Sequence, residues 1–377
     1  MDFTLSDEQT EIAELAGRIL TEKLPPERIK AIEADPDGRW FAADVWAELA
    51  KADLLGLALP EADGGGGYDF LAIALLLEQQ GKTVAPLPLL ETLVLGALPI
   101  ARFGSAEQRA RILPGVIAGT TVLTAALVEP GEYVVADPPV TTATREGDGW
   151  RLDGVKDFVT AAHLASTILV PARTGDGATG VFLVDAAAPG ITMERNTALN
   201  DQPQWTVRLD GVQVSQHDVL GGATGGAEIV DFMVDRAIAG LCSTQVGVCE
   251  AALRLTAAYV SEREQFGAKI GTFQAVAQRI ADAYIDTEAI RLTALQAAWR
   301  LSEELPSADE VAIAKFWAAD GGHRVVHAAQ HLHGGIGVDT DYPVHRYFRW
   351  SKVIELTLGT ATEHLRRLGE RIATAAS

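Results

Sequence analysis

The sequence predicts an α+β protein of three domains: residues 1–120 and 223–377 are mainly helical, and residues 121–222 are built from strands. Both outer parts carry apolar residues at helical spacing. Near residue 121 the pattern changes to short β-rich runs separated by turn residues. With 377 residues, 48% of them hydrophobic and 22% charged, the chain has the composition of a globular protein of roughly two to three domains.

The first domain starts with a helix signal. Ser6 can cap a helix, and Gln9 three residues later completes a capping box. Four consecutive glycines at 64–67 must form a turn, and no Lys-Ser/Thr pair follows them, so they are not a Walker phosphate loop. Helical periodicity runs over residues 42–52, 70–80, 89–100 and 106–113.

The middle domain is predicted to be a small barrel or sandwich. Turns are expected at Asp148-Gly149, Asp153-Gly154 and Asp210-Gly211. A glycine-rich hinge at 221–226 is expected to lead into the third domain, and no Gly-x-Gly-x-x-Gly between a strand and a helix indicates a Rossmann site. Strands are predicted over residues 121–128, 140–145, 151–152, 158–160, 167–171, 180–184, 191–194 and 206–209.

One long helix organises the third domain. From Phe232, positions 235, 239, 242, 246, 249 and 253 follow at steps of three and four, and all are apolar except Asp235. This helix is expected to end near Glu262, with a compact turn and a second helix from about Thr272.

Charge and cysteine content narrow the function classes. A net charge of -20 argues against nucleic acid as a partner. Cys242 and Cys249 lie two helical turns apart, about 10 Å along the axis, which is too far for a disulfide and indicates a reducing compartment.

Neither a basic leader nor an apolar membrane-length run is visible. We therefore expect a soluble, cytoplasmic protein without a membrane span. His331 and His333 do not share a helix face, so no metal site is predicted.

The string REQFGAKIGTFQ at residues 263–274 resembles the flavin-binding signature of the acyl-CoA dehydrogenases. The segments QHLHGGIG at 330–337 and LGT at 358–360 keep the same family's frame, and the resemblance covers nearly the whole chain. It implies a helix–β–helix fold with a four-helix-bundle-like C-terminal domain. It also implies FAD as cofactor and oxidation of an acyl-CoA to the trans-2-enoyl-CoA in fatty acid metabolism. An electron-transfer flavoprotein or similar acceptor and a homo- or hetero-tetramer complete this expectation.

The resemblance also assigns roles to individual residues. Arg263 would grip the cofactor pyrophosphate, Phe266 would pack on the cofactor, and Gln274 would bind its adenosine half. Phe158 stands where a Trp covers the flavin ring, and Thr160 where a hydroxyl meets the ring's N5–O4 edge. The full set of residues expected to bind FAD is Val128, Phe158, Thr160, Arg263, Phe266, Gln274, Gln330, His331, Gly334, Gly335, Thr360 and Thr362.

The position of the catalytic base departs from the family pattern. Many members carry a Glu that abstracts the α-proton where this chain has Leu358. Other members place the base on the long helix just before an Arg, which points to Asp235, although strict counting puts Ala237 there. Desolvation on the apolar stripe would raise the pKa of Asp235 into a useful range. Alternatively, Asp235 has no catalytic role and is a solvated or capping carboxylate near the start of the helix.

Two main hypotheses for function follow. In the first, the chain is an FAD enzyme with Asp235 as its base. In the second, it is a non-catalytic partner subunit of a hetero-oligomeric dehydrogenase that helps to bind a shared FAD. A third hypothesis, a scaffold that binds CoA without flavin, is weaker, because the chain keeps most of the family's flavin-binding motifs.

Overall fold

The computed structural model describes residues 4–35, 37–175 and 177–375. The chain divides into two compact units. The first comprises Met1–Ile29, Ala74–Ala85 and Ile238–Ser377, and the second comprises Lys30–Ile73 and Pro86–Ala237.

The helices and strands follow the predicted order along the chain. The helices are α1 (Asp7–Lys23), α2 (Pro26–Glu33), α3 (Ala43–Lys51), α4 (Phe70–Thr83), α5 (Leu98–Phe103), α6 (Ala106–Ile117), α7 (Gly226–Glu262), α8 (Gln274–Ser302), α9 (Ala308–Phe316), α10 (Gly322–His333), α11 (Val344–Leu356) and α12 (Ala361–Ala375). The strands are β1 (Leu123–Ala125), β2 (Thr142–Glu146), β3 (Gly149–Thr160), β4 (Thr167–Arg173), β5 (Thr179–Asp185), β6 (Ile191–Thr197), β7 (Pro203–Ser215), β8 (Val219–Leu220), β9 (Glu264–Gln265) and β10 (Ala268–Lys269).

The second unit contains a curved sheet of eight strands. Its order is β6-β7-β3-β2-β4-β5-β8, with β1 added beside β4, and the pairs are antiparallel except β1–β4 and β2–β4. Trp150 of β3 and Phe182 of β5 pack edge to face with centroids 5.6 Å apart. Their strands are three steps apart in the sheet, about 14 Å if the sheet were flat. The sheet therefore curls around a shared core, as the barrel or sandwich prediction requires.

Two predicted turns are wrong. Asp153-Gly154 lies within β3 and Asp210-Gly211 lies within β7. The β3–β7 pairing shifts register beside them, between Leu152 and Gly154. The Asp153 carboxylate accepts the Gly211 N–H at 2.9 Å, so these Asp-Gly pairs build a bulge between two long strands rather than chain reversals. The predicted strands 151–152 and 158–160 are accordingly parts of one strand.

Close helix packing defines the first unit. A side-chain carbon on Gly81 or on Gly247 would lie 2.0 Å from a backbone oxygen of the facing helix, so α4 and α7 approach backbone to backbone where only glycine fits. Arg291 of α8 joins both helices through Glu78 at 2.8 Å and Glu250 at 2.7 Å. The stripe predicted on α7 is buried at positions 239, 242, 246 and 249.

The signals for the ends of three helices can be compared with the structure. Ser6 and Gln9 form the predicted capping box of α1. The helix α7 ends at Glu262 as expected, while α8 begins at Gln274, two residues later than predicted. The short helix α2 was not predicted. Among the residues described, no helix is both long enough and apolar enough to cross a bilayer.

Candidate functional site

Phe158 lies at a break in β3 that turns its side chain outward. The β3–β7 pairing shifts register between Lys156 and Val159, and Phe158 has a φ of 56°. A non-glycine residue in this left-handed region is strained by about 1–2 kcal/mol, and bulges often re-aim a side chain beside a functional site. The Phe158 ring is 48% exposed. The bulge thus presents an aromatic face that a planar ligand can cover.

A buried ion pair underlies this bulge. Lys156 Nζ donates to Glu129 Oε1 at 2.9 Å, and both side chains are buried. The Glu129 carboxylate also accepts the backbone N–H groups of Val140 and Thr141 at 2.6 and 2.7 Å. Burial by itself would raise the pKa of Glu129, but hydrogen bonds from Thr141 and Lys156 and the lysine charge lower it to about 2. Burial lowers the pKa of Lys156, and Glu129 offsets part of that effect.

Val128 is bridged to the residue before Phe158. The Asp157 N–H donates to the Val128 carbonyl at 2.9 Å in an isolated β-bridge. The Asp157 carboxylate in turn accepts the hydroxyl of Thr206 at 2.7 Å. The structure therefore brings Val128, Phe158 and Thr160 together on one stretch of the sheet.

Thr160 ends β3 beside a buried carboxyl that the sequence analysis missed. Its carbonyl accepts the hydroxyl of buried Thr124 at 2.7 Å. Its side chain lies near that of Glu91, whose carboxylate accepts Gln202 Nε2 at 3.3 Å. Burial raises the pKa of Glu91 above its ordinary value. The available sequence signal was a lone carboxylate in the otherwise apolar run 85–100.

The residues 263–274 form a β-hairpin between α7 and α8. β9 and β10 pair antiparallel around a two-residue loop, and both loop residues, Phe266 and Gly267, have positive φ angles of 55° and 77°, as a type I′ turn requires. Phe266 is 96% exposed. Arg263 before the hairpin and Gln274 at the start of α8 are exposed as well. All three side chains assigned to this signature are thus open to a ligand.

An open glycine pair follows α10. The helix ends at His333, and Gly334 has a φ of 61°. A methyl group placed on Gly334 or Gly335 would meet no atom of the described residues within 4 Å, so a ligand can approach the backbone closely. Gln330 keeps a buried Oε1 without a hydrogen-bond partner in the described part of the chain. His331 is exposed.

His333 connects the glycine pair to the hairpin. Its ring stacks on Tyr259 with centroids 4.6 Å apart, and its Nε2 lies 3.2 Å from the Tyr342 hydroxyl. Tyr259 stands one helical turn before Arg263, whose N–H donates to the Tyr259 carbonyl at 2.9 Å. The two segments that carry the flavin resemblance are therefore neighbours within the first unit.

The turn between α11 and α12 holds an aliphatic side chain at the expected glutamate position. Leu358 is buried and has a φ of 56°. His364 Nε2 lies 2.9 Å from the Leu358 carbonyl, so this nitrogen donates, and burial lowers the pKa of His364 to about 4. The Thr360 hydroxyl accepts a backbone N–H three residues on at 3.4 Å and so caps α12, while Thr362 is exposed in the first turn.

A buried lysine caps the end of α11 just before this turn. Lys315 Nζ donates to the carbonyl of Ile354 and lies 3.5 Å from that of Glu355. Burial lowers the pKa of Lys315 to about 8. The last carbonyls of a helix have no partner within it, and a cation there can satisfy them. Lys315 therefore stabilises the C-terminal end of α11, which leads into the turn with Leu358.

Asp235 lies on α7, which is unbroken from Gly226 to Glu262. It is half-buried, and its neighbour Arg236 stacks over the Phe232 ring 3.6 Å from the centroid. Ala237 is fully buried. At 3.6 residues per turn, side chains two positions apart diverge by about 200°. Asp235 and Ala237 therefore face different directions.

Three family models match the chain in succession: the acyl-CoA dehydrogenase N-terminal domain over residues 6–120, the middle domain over 124–212 and the C-terminal domain over 226–373. Acyl-CoA dehydrogenase FadE27 of Mycobacterium tuberculosis is 38% identical over 381 residues, covering 99% of this chain and 99% of the relative. The chain belongs to the acyl-CoA dehydrogenase family.

Two solved structures resemble the chain over 99% of its length and 99% of theirs. A variant of the Tcur3481-Tcur3483 steroid ACAD is 46% identical with a TM-score of 0.91. The ChsE4-ChsE5 complex from Mycobacterium tuberculosis is 37% identical with a TM-score of 0.91. The protein is thus a flavoprotein oxidoreductase of fatty acid metabolism whose cofactor is FAD, and its reaction is the α,β-dehydrogenation of acyl-CoA thioesters.

The residues present suit the cofactor of an acyl-CoA dehydrogenase. In the second unit, an exposed aromatic ring at Phe158 stands two residues from the Thr160 hydroxyl. In the first unit, Gln330 offers a buried acceptor that has no partner among the described residues, and the backbone of Gly334 and Gly335 follows it in the chain and is open. Arg263 supplies an exposed guanidinium that suits a pyrophosphate. When bound, FAD accepts the hydride that leaves the β-carbon of the substrate.

Proposed function

We propose that this chain serves acyl-CoA dehydrogenation as the partner subunit of a hetero-oligomer: it helps to bind FAD, and a second, different chain supplies the carboxylate that abstracts the α-proton. Carboxylates occupy neither of the two positions from which the family takes its base. One position holds Leu358, which is buried, and strict counting places buried Ala237 at the other.

The unbroken helix α7 is the observation that carries this proposal. Arg236 stands eleven residues before Gly247, two more than in members that place the base on this helix. A bulge could absorb two extra residues, but α7 is continuous across this interval. The two extra residues therefore correspond to a turn of about 200° around the helix. This favours Ala237 over Asp235 as the position at which those family members carry their base.

The face of α8 supports an oligomer. Tyr284, Ile285 and Leu292 are 57%, 63% and 48% exposed, and Ile285 and Leu292 are seven residues apart, so they share one side of the helix. Exposed apolar stripes of this kind usually mark protein–protein contacts. We assign this face to a second chain of the same family in a tetramer.

The substrate and electron acceptor belong to the same proposal. The names of the two similar structures each join two chains, and one of them names a steroid ACAD. These names support an acyl-CoA with a bulky, steroid-type tail. An electron-transfer flavoprotein is the acceptor we propose, because reduced FAD in this family must pass its electrons to another redox protein.

Expression of the chain alone and together with a candidate partner tests the role. Flavin absorbance near 450 nm and native mass would be measured first, followed by addition of an acyl-CoA substrate under exclusion of oxygen. We expect substrate to bleach the flavin only in the hetero-oligomer. Bleaching by the chain alone would overturn the partner role.

Asp235 as the base of a self-sufficient enzyme is the second candidate, favoured by its half-buried position on α7. Asp235→Asn tests it, with Asp231→Asn one turn earlier on the same helix as the matched control. If the chain alone bleaches with substrate and loses this only in Asp235→Asn, the second candidate replaces the first. Equal bleaching of the hetero-oligomer in both variants supports the partner role.

A further inference from the structure

The register of β3 against β7 leaves two residues of β3, Asp157 and Phe158, opposite the single residue Thr206. This arrangement is a β-bulge, and it changes the face of the sheet to which the following residues point. Lys156 and Val159 on either side are both buried, whereas Phe158 is exposed. Without the bulge, Phe158 would share the buried face with Lys156, because side chains alternate along a strand.

Side chains on the outer face of the sheet close this bulge. The Thr206 hydroxyl donates to Asp157 Oδ1 at 2.7 Å. Asn196 Nδ2 on β6 donates to the Thr206 hydroxyl oxygen at 3.1 Å. A carboxylate only accepts and an amide NH2 group only donates, so the Thr206 hydroxyl has one partner for its hydrogen and one for a lone pair. The two hydrogen bonds join three neighbouring strands, β6, β7 and β3.

The backbone beside Phe158 is held from another side as well. The Asp157 N–H donates to the Val128 carbonyl at 2.9 Å in an isolated bridge. Phe158 has a φ of 56°, a conformation that a bulky residue rarely adopts. Such a conformation persists only where the surrounding contacts hold it. The hydrogen bonds of Asp157 are therefore contacts that keep Phe158 in this conformation.

A second bulge in the same pair of strands offers a comparison. There the Asp153 carboxylate accepts the Gly211 N–H at 2.9 Å, and Gly211 takes up the left-handed conformation with a φ of 64°. Glycine adopts this conformation without steric cost. Neither residue of the bulge at Phe158 is glycine, so its geometry depends more strongly on side-chain hydrogen bonds.

We propose that Asp157 and Thr206 are positioning residues for FAD: their hydrogen bond fixes the bulge and so holds the Phe158 ring in the orientation in which it covers the flavin. This inference rests on the proposed role of the chain in binding FAD and on the expected place of Phe158 against the ring. In this arrangement Phe158 contacts the cofactor, and Asp157 and Thr206 act through it. Asn196 supports the Thr206 hydroxyl from the neighbouring strand.

Fluorine NMR on the full chain tests the orientation of the ring without reference to flavin. 4-Fluorophenylalanine placed at position 158 reports the surroundings of that ring through one resonance. We expect Thr206→Val to shift or broaden this resonance, because valine has a similar shape but cannot donate to Asp157. Thr206→Ser should keep the wild-type resonance. A resonance that is unmoved in both Thr206→Val and Asp157→Ala overturns the proposal.

The flavin-loaded protein, with its partner chain if one is needed for loading, tests the consequence for the cofactor. We expect Asp157→Ala and Thr206→Val to weaken FAD binding about 5- to 10-fold, the net effect of one hydrogen bond that favours the binding-competent orientation, and to change the visible spectrum of bound FAD. Thr206→Ser should stay near wild type. Asp153→Ala, the matched control at the second bulge, should lower Tm without changing the spectrum or the affinity.

A double-mutant cycle separates positioning from a general effect on stability. If Thr206 acts through Phe158, Thr206→Val should change FAD affinity in the wild-type background but not in the Phe158→Leu background. Equal effects in both backgrounds overturn the inference. If Phe158→Leu alone leaves spectrum and affinity unchanged, the expected place of Phe158 against the ring is wrong, and the inference fails with it. If Phe158→Leu changes them and Thr206→Val and Asp157→Ala do not, only the inference fails.

Discussion

Replacing Lys156 by methionine should reveal how strongly the bulge at Phe158 depends on the buried ion pair. Methionine keeps much of the aliphatic stem but leaves Glu129 with only its two backbone N–H donors, at 2.6 and 2.7 Å. Removing one partner of a buried pair destabilises a protein by about 3–5 kcal/mol.

Urea unfolding at pH 7 measures this effect directly. We expect Lys156→Met to lower the free energy of unfolding by about 3 kcal/mol and Lys156→Met/Glu129→Gln to recover part of the loss, because the second change removes the unpaired charge. Lys51→Met is the matched control: its pair with Glu48 has the same 2.9 Å distance but is exposed, so the loss should stay below about 1 kcal/mol. Equal losses in Lys156→Met and Lys51→Met would refute the reasoning.

Three further predictions concern the first unit. The pKa of His364 is about 4 in the folded protein against an ordinary 6.5, so its contribution to stability is present above pH 6.5 and declines toward pH 4, by about 2 kcal/mol at pH 5. Urea unfolding of His364→Gln, whose amide can still donate to Leu358, should lack this part of the decline between pH 7 and pH 5, and an unchanged decline would contradict it. Gly337→Ala places a methyl group 2.8 Å from a backbone oxygen of α10 and should lower Tm, whereas Gly335→Ala, which meets open space, should not. Arg263→Ala should weaken FAD binding about 10- to 100-fold in a fluorescence titration without lowering Tm, since the side chain is exposed. An unchanged affinity would exclude the pyrophosphate role.

Much of the architecture was predictable from short-range patterns. The capping box of Ser6 and Gln9, the apolar stripe of α7 and its end at Glu262 all follow from residues a few positions apart, and the structure confirms them. The string at 263–274 was specific enough to predict the family. The positions that the resemblance assigns to FAD, and the domain limits at 120 and 222, remain predictions.

Other features could not be read from the sequence, because they depend on residues far apart in the chain. Asp153-Gly154 looks like a hairpin turn in isolation, and only its pairing with β7 makes it a bulge. Phe158 resembles a core residue by type, yet a register shift leaves its ring exposed.

The sequence by itself determined the order of helices and strands and the family, since periodicity, capping and turn chemistry act between near neighbours. Only the tertiary structure decided which polar groups lost water and which partners they met there. Glu91 meets Gln202, and Lys156 meets Glu129, across separations of 111 and 27 residues. The ionisation of a buried group depends on such distant partners, and no local pattern encodes them.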